Sequence, residues 1–261
     1  MEGLESNENK RNIEKDKADF EIAIQESVNE IDTDFDAEAV ASLTSDIESG
    51  NTFTLGEIHG VRENPDIIYT LIKKFGFKAL GLEWKKELEE IVKNFQDNGV
   101  LDIESILESS DGRITAGHFS LLRKIKEENL VENIFLFDKS RRGKRDEGMA
   151  EEIIEQTSSG TPTIVIAGNA HTNLNEIEEV DGSKHISMVK VLQDKGTSFS
   201  VGEIDYVSGN YFNIGLKNFR QVDEASAGNP RFYKNEDGIY VYQLPTATPA
   251  VVPNPSAIFN E

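Results

Sequence analysis

The middle of the chain alternates between short apolar runs and longer stretches in which apolar residues recur at helical spacing. The apolar runs are rich in β-branched and aromatic residues, as is typical of short buried strands. Four runs have this character: "TFTLGE" at 52–57, "KALGLEW" at 78–84, "NIFLFD" at 133–138 and "TPTIVIAGN" at 161–169. Strands that alternate with helices form mostly parallel sheets covered on both faces. The pattern therefore predicts an α/β fold with a mostly parallel central sheet flanked by helices.

The last third of the chain has a different pattern. Its apolar segments follow one another closely: "SFSVGEIDYV" at 198–207, "NYFNIGL" at 210–216, "RFYKN" at 231–235 and "GIYVYQL" at 238–244. Closely spaced strands without intervening helices are joined most simply by hairpins. We therefore expect antiparallel strands added at one edge of the sheet near the C-terminus.

The two ends of the chain differ from its centre, which we take as an α/β domain over residues 49–244. Residues 1–48 are acidic, and Phe20, Ile24, Val28 and Ile31 recur at helical spacing. This predicts an N-terminal helical extension lying on the domain, with a disordered or partner-binding segment as the alternative. Residues 245–261 hold four of the seven prolines. They predict an extended, poorly packed tail.

Composition narrows the range of partners. The formal net charge of −21 would repel nucleic acid and anionic membranes, so neither is expected as a partner. The absence of cysteine excludes disulfides, thiolate nucleophiles and cysteine-bound metal centres. No apolar stretch approaches the length of about 20 residues that a membrane helix needs. Together with the lack of a signal-peptide pattern, this favours a cytoplasmic location.

Polar residues of catalytic types stand at the predicted strand ends. Glu57 and His59 end the first strand, Glu83 the second and Asp138 the third, and His171 follows the fourth. In an open α/β sheet, ligands bind outside the carboxyl ends of the strands. We therefore expect these residues to meet at one edge of the sheet.

These residue types allow more than one interpretation. Two histidines with carboxylates can form a water-activating centre, either as metal ligands or as a metal-free general base held by a carboxylate. Alternatively, His59 is a structural histidine, and Glu83 and Asp138 cap the helices that follow them. The same Gly-x-x-His pattern in "GEIH" at 56–59 and "GNAH" at 168–171 favours the functional interpretation.

The remaining candidates are a basic run and two further histidines. Arg145 closes the run "KSRRGKR" at 139–145. It either holds a site carboxylate or substrate anion, or belongs to a solvated loop. His118 and His185 lie in or beside helical segments without such context, so we expect structural or surface roles. The motifs of zincins, serine hydrolases, P-loop proteins and Rossmann dinucleotide-binding proteins do not occur.

Four short motifs resemble the superfamily that joins erythromycin esterases, ChaN-like haem-binding lipoproteins and TraB/Tiki proteins. They are "GEIHG" at 56–60, "GLEW" at 81–84, "RDEGMA" at 145–150 and "GNAH" at 168–171. The resemblance implies a mixed sheet flanked by helices. It also implies site roles for the following residues: Glu57, His59, Glu83, Arg145 and His171. Relatives include antibiotic esterases with a metal-free histidine base, metal-dependent proteases and haem binders without enzyme activity.

The sequence thus predicts a hydrolase that acts on an ester, amide or peptide bond in a small-molecule or peptide substrate. His59 would be the general base or a metal ligand, Glu57 and Glu83 its carboxylate partners, and His171 a second ligand or an acid. If a divalent metal is bound, Zn²⁺, Mn²⁺ or Co²⁺ held by His59, Glu83 and His171 is expected. The alternative is a protein that binds haem or another small ligand without chemistry.

Overall fold

The computed structural model describes residues 2–107, 111–139, 144–175, 177–178, 184–219 and 228–255. Helices and strands alternate through most of this length. The helices are α1 Glu2–Ala23, α2 Ala37–Glu48, α3 Asn64–Phe75, α4 Glu89–Asn98, α5 Ala116–Glu127, α6 Arg145–Thr157, α7 Asn169–Thr172 and α8 Met188–Asp194. The strands are β1 Asp34–Phe35, β2 Thr52–Glu57, β3 Ala79–Lys85, β4 Asn133–Asp138, β5 Thr163–Gly168, β6 Ile177–Glu178, β7 Lys184–His185, β8 Phe199–Tyr206, β9 Asn210–Phe212, β10 Leu216–Asn218, β11 Arg231–Lys234 and β12 Tyr240–Leu244.

An eight-stranded sheet forms the centre of the fold, in the order β1-β11-β12-β8-β2-β5-β3-β4. Its neighbouring strands pair in parallel, except for the antiparallel pair β11 and β12. β9 and β10 form a separate antiparallel hairpin. The predicted α/β class and the antiparallel strands near the C-terminus are therefore confirmed, although β8 pairs in parallel with β2 and β12 rather than in a hairpin.

Both faces of the sheet are covered, which explains the continuous apolar strands. Side chains alternate between the faces along a strand. In β5, Ile164 and Ile166 belong to one apolar cluster with helices α1, α2, α3 and α5. Val165 and Ala167 point the other way, into a second cluster with α6 and α8. A strand buried on both faces has no solvated side, and its sequence therefore lacks polar alternation.

The helix ends follow local rules in the sequence. The Asp36 side chain accepts a hydrogen bond from the backbone N–H of Ala39 at 2.8 Å and so caps α2. In α3, Pro65 stands in the first turn, where its missing N–H would have no partner within the helix. These signals define where the two helices begin.

The ends of the chain join the central domain more closely than their composition predicted. α1 ends at Ala23, so the helical spacing does not continue to Val28, which is buried outside the helix. β1 then pairs with β11 at the edge of the main sheet. At the other end, Val252 is buried and the carbonyl of Val251 accepts a hydrogen bond from Ala116. This part of the predicted tail is therefore packed at Val252 and at the backbone of Val251, and residues 256–261 lie outside the described ranges.

The order of the strands places four carboxyl ends side by side. β2, β5, β3 and β4 are consecutive in the sheet and parallel to one another. They end at Glu57, Gly168, Lys85 and Asp138. The register of β3 against β4 shifts between Leu82 and Lys85, which is where Glu83 lies. Such irregularities redirect side chains and are frequent beside functional sites.

Candidate functional site

Glu57 and His59 form a hydrogen-bonded pair at the end of β2. Nδ1 of His59 lies 3.0 Å from Oε1 of Glu57, and the Glu57 side chain is 3% exposed. When neutral, the imidazole donates its Nδ1–H to this carboxylate, which leaves the lone pair on Nε2. Oε2 of Glu57 is buried and has no hydrogen-bond partner among the residues that the structure describes. The pair therefore presents Nε2 as a proton acceptor.

The surroundings of His59 favour its protonated form. Burial disfavours the charged imidazolium, but the hydrogen bond to Glu57 and the negative charge of Glu83 outweigh burial and raise the pKa of His59 above its ordinary value. The imidazole is the side chain whose ordinary pKa lies closest to neutral pH, which suits it to proton exchange as a general acid or base.

Glu83 lies at the centre of the site. Its Oε2 accepts the backbone N–H of Gly168 at 2.6 Å and lies 3.8 Å from Nε2 of His59. Its Oε1 lies 2.5 Å from Nη2 of Arg145 and 3.5 Å from Nε2 of His171. The two histidines of the repeated Gly-x-x-His pattern therefore approach opposite oxygens of one buried carboxylate.

Two arginines balance the buried carboxylates. Nη2 of Arg145 is 2.8 Å from Oδ2 of Asp138, and Nε of Arg145 is 3.2 Å from each oxygen of the same carboxylate. Arg113 approaches Asp138 at 3.1 Å and Glu83 at 3.7 Å, and its Nε donates to Asp111 at 2.7 Å. Burial opposes the charge on Arg145, but the bonds to Asp138 and Glu83 raise its pKa further. Arg145 is therefore a permanent cation in the site.

His171 links this network to a second cluster. Its Nε2 accepts a hydrogen bond from Nη1 of Arg145 at 2.9 Å, and its Nδ1 donates to Oδ1 of Asp146 at 2.7 Å. The same oxygen of Asp146 accepts the backbone N–H of Met188 at 2.7 Å. Nε2 of His185 lies 3.7 Å from Oδ2 of Asp146. Asp146 thus stands between two imidazoles.

Two glycines allow the backbone to pass close to the site. A Cβ atom at Gly168 would lie 2.7 Å from Nε2 of His59 and 3.5 Å from Oε2 of Glu83. Gly60 has φ of +75°, and a Cβ there would overlap the carbonyl of Phe212. The "GEIHG" and "GNAH" motifs therefore need glycine for the close approach of β2, β5 and the β9 hairpin.

An open groove of about 780 Å³ adjoins the cluster. Arg145, Asp146, His171 and His185 line one part of it, and mainly charged side chains of α6 and α8 line the rest. A ligand in this groove can contact Arg145 and His171 directly.

The structure brings together all the residues that the sequence selected: Glu57, His59, Glu83, Arg145 and His171. For Asp138, the sequence left open both a helix-capping role and a role in the site. In the structure, Asp138 contacts Arg145. His118 is buried against Thr115 and Trp84, and burial lowers its pKa, as fits the expected structural role.

Sequence reasoning missed Arg113, Asp146 and His185. His185 was expected away from the site, but it lies beside Asp146 and His171. Asp146 is the second residue of the "RDEGMA" motif, which was a usable signal. Arg113 and His185 lie outside the main strands, where the spacing of apolar residues carries no information about position.

The predicted metal ligands His59, Glu83 and His171 do not form a compact donor group: the two histidines approach opposite oxygens of Glu83, which already binds Arg145 and the N–H of Gly168. Among the described residues, the group whose donor atoms all lie within 4.8 Å of one another is Asp146, His171 and His185. The compact donor cluster is therefore displaced from Glu83 toward the groove.

The fold defines an α/β protein with a polar site at the carboxyl edge of a mostly parallel sheet. A crystal structure of a Bacillus cereus protein is similar, with a TM-score of 0.53, 9% identity and coverage of 82% of this chain and 92% of that chain. A succinoglycan biosynthesis protein has a TM-score of 0.53 and 12% identity, with 90% and 98% of the two chains covered.

A third similar structure is the C-terminal region of Pasteurella multocida toxin, which has a thiol-protease-like catalytic triad. Its TM-score is 0.46 and its identity 13%, and the match covers 80% of this chain and 27% of the toxin chain. At these identities the two likenesses with a TM-score of 0.53 show the fold alone. No family model matches the chain, and no curated protein sequence matches it.

In the part of the chain that the structure describes, no helix combines the length and the apolar character that spanning a membrane requires.

Proposed function

We propose that this chain is a hydrolase in which His59 acts as general base and activates water toward an ester, amide or peptide bond. The observation that carries the proposal is the Glu57–His59 pair, whose Nδ1 contact of 3.0 Å leaves Nε2 as acceptor beside the buried Glu83. A histidine held by a carboxylate in this way has the correct tautomer and orientation to take a proton from water.

Arg145 supplies the second element of the proposed mechanism. Its guanidinium lies between Glu83, Asp138 and His171 and is 33% exposed toward the groove. A fixed cation at this position stabilises negative charge that develops on a substrate oxygen. In the same arrangement His171 accepts a hydrogen bond from Arg145 through Nε2, so we assign His171 a positioning role toward Arg145.

The proposal includes membership of the superfamily of erythromycin esterases, ChaN-like proteins and TraB/Tiki proteins. It is supported by the meeting of the four motifs at one edge of the sheet, through Glu57, His59, Glu83, Arg145 and His171. The groove beside the site is lined mainly by charged and polar side chains. Because haem requires a broad apolar surface, this lining favours a polar substrate over haem.

The test is a panel of ester, amide and peptide substrates assayed with the wild-type protein and with His59→Ala and Glu83→Gln. We expect each variant to lose about 10²- to 10⁴-fold in kcat/KM on any substrate found. Glu203→Gln is the matched control, because Glu203 is a half-buried carboxylate on the neighbouring strand β8. Full activity of both site variants would overturn the assignment.

Thermal unfolding of the same variants separates chemistry from folding. Both side chains are largely buried, His59 at 17% and Glu83 at 3% exposure, so either substitution can affect folding as well as activity. An inactive His59→Ala protein that unfolds at nearly the wild-type temperature would show that the loss concerns the reaction.

A further inference from the structure

A second group of ionisable side chains lies next to the proposed catalytic pair. Asp146 is in the first turn of α6, His171 is in α7 and His185 is in β7. One donor atom from each residue lies within 4.8 Å of the others. Two imidazoles and a carboxylate from three different elements therefore converge on a small volume at the wall of the groove.

The distances within this group are close to those of a metal site. In a tetrahedral zinc site with bonds of about 2.1 Å, neighbouring donor atoms lie about 3.4 Å apart. Here Asp146 lies 2.7 Å from Nδ1 of His171 through one oxygen and 3.7 Å from Nε2 of His185 through the other. Small side-chain movements around Asp146 bring both contacts to the required separation.

The Nε2 atom of His185 gives an independent indication of a ligand. It is buried, and no hydrogen-bond partner for it is found within the described ranges. A buried polar atom without a partner costs free energy, which a bound ligand offsets. His185 also lines the groove, so only a small side-chain rotation separates this atom from solvent.

We propose that Asp146, His171 and His185 bind a divalent transition-metal ion such as Zn²⁺, Mn²⁺ or Co²⁺. Two imidazole nitrogens and a carboxylate oxygen are the donors that these ions accept. Binding through Nδ1 of His171 needs the neutral tautomer with its proton on Nε2, so the proton that Nδ1 now donates to Asp146 moves to Nε2. The Nε2–H of this tautomer cannot accept from Arg145 and instead faces Oε1 of Glu83 at 3.5 Å, which couples the ion to the catalytic site.

This site differs from a metal centre built on His59 and Glu83. Glu83 is already held by Arg145 and by the backbone N–H of Gly168. A cation at Glu83 would compete with the guanidinium at close range, and the Coulomb repulsion of the two is unfavourable. The cluster around Asp146 lies on the other side of His171. The two candidate sites share only His171, which makes them separable by mutation.

The experiment is a titration of chelator-treated full-length protein with Co²⁺, followed by its visible d–d absorption, and with Zn²⁺ by calorimetry. We expect one ion per chain for the wild type. His185→Ala should lose the Co²⁺ bands and weaken Zn²⁺ binding by more than the about 10- to 100-fold that loss of an outer partner costs. His59→Ala should bind as the wild type does.

Asp194→Asn is the matched control, because it removes a carboxylate from the same groove outside the cluster. Wild-type protein that binds neither ion would overturn the proposal. So would His185→Ala binding like the wild type while His59→Ala does not bind. The measurement does not depend on hydrolysis: loss of activity in His59→Ala with intact Co²⁺ binding supports both proposals, and intact activity with intact binding contradicts only the proposed function.

Discussion

Nη2 of Arg145 lies 2.5 Å from Oε1 of Glu83, although 62 residues separate the two in the chain. The contact joins the start of α6 to the end of β3, and Asp138 at the end of β4 binds the same guanidinium. Three elements are therefore tied together by one side chain. Glu83 is 3% exposed, and this cation and Arg113 are its charged partners on the arginine side of the site.

Replacement of Arg145 by lysine tests whether the positive charge of Arg145 is sufficient or whether its planar guanidinium is also needed. Lysine keeps the positive charge, but its single ammonium group cannot span Glu83, Asp138 and His171 as the planar fork does. We expect Arg145→Lys to lower kcat by about 10²-fold or more, with little change in melting temperature. The measurements are steady-state kinetics and thermal unfolding.

Arg145→Ala provides the comparison for this prediction. Removing one partner of a buried ion pair costs about 3–5 kcal/mol. Because Arg113 remains beside both carboxylates, we expect the low end of that range. Unchanged activity in the lysine variant together with a loss of only about 0.5 kcal/mol in the alanine variant would mean that Arg145 acts as an ordinary surface residue.

Replacement of Glu57 by glutamine should lower the pKa of His59. The carboxylate of Glu57 helps to raise that pKa above its ordinary value of 6.5. A neutral amide removes this charge and leaves only Glu83 to oppose the effect of burial. The chain has four histidines, so NMR titration of the imidazole signals resolves each one. We expect the midpoint of His59 to move to lower pH in Glu57→Gln.

The activity profile should follow the same shift. A general base works only when it is unprotonated, so kcat/KM rises with pH through the pKa of His59. In Glu57→Gln this rise should begin at lower pH, with a lower plateau because the imidazole is less well oriented. Glu203→Gln should leave the midpoint unchanged. A midpoint that is identical in wild type and Glu57→Gln would show that Glu57 does not control His59.

The main part of the site was predictable because it is tied to the strand ends. Apolar runs reveal β2, β3, β4 and β5, and parallel pairing puts their carboxyl ends together whatever the order of the strands. Glu57, Glu83 and His171 therefore follow from sequence position alone. The order in the sheet, which puts β5 between β2 and β3, depends on packing between distant segments and leaves no local signal.

The missed residues have a common physical reason. Arg113 lies in a bend before α5, and His185 lies in the two-residue strand β7. Neither position has the 2- or 3.6-residue periodicity that places a side chain on a known face. Asp146 was within a recognised motif, but only the fold shows that it faces His171 and not solvent. Long-range contacts of this kind require the tertiary structure.

His118 should make the protein less stable in acid. Burial lowers its pKa in the folded state, while in the unfolded chain the imidazole has its ordinary value of 6.5. The stability linked to His118 is therefore fully present above about pH 6.5 and is lost as the pH falls toward the folded-state pKa. We expect His118→Gln to reduce the loss of unfolding free energy between about pH 6.5 and 5. Denaturant unfolding at a series of pH values measures how the unfolding free energy depends on pH.

The pKa of His59 shifts in the opposite direction to that of His118, so His59→Gln serves as the control. Its pKa is raised by folding, so its contribution to stability is present below the unfolded value and is lost as the pH rises through the folded pKa. His59→Gln should therefore alter the neutral-to-alkaline side of the stability curve. Equal effects of the two substitutions on the same side would contradict the assigned pKa directions.

Replacement of Gly168 by alanine tests how closely the backbone of β5 supports His59. The backbone of Gly168 has φ of −62° and ψ of 147°, which alanine adopts without strain. Its Cβ, however, would lie 2.7 Å from Nε2 of His59, so the imidazole must move. A displacement of about 1 Å costs about 10²-fold in rate, while overpacking costs about 1–3 kcal/mol in stability. We expect kinetic assays of Gly168→Ala to show a loss of activity of about 10²-fold. Thermal unfolding should show a loss of stability of no more than about 1–3 kcal/mol.

Gly228→Ala is the matched control, because a Cβ there meets no atom within 4 Å. Wild-type activity in Gly168→Ala would show that the position of His59 is not critical for the reaction.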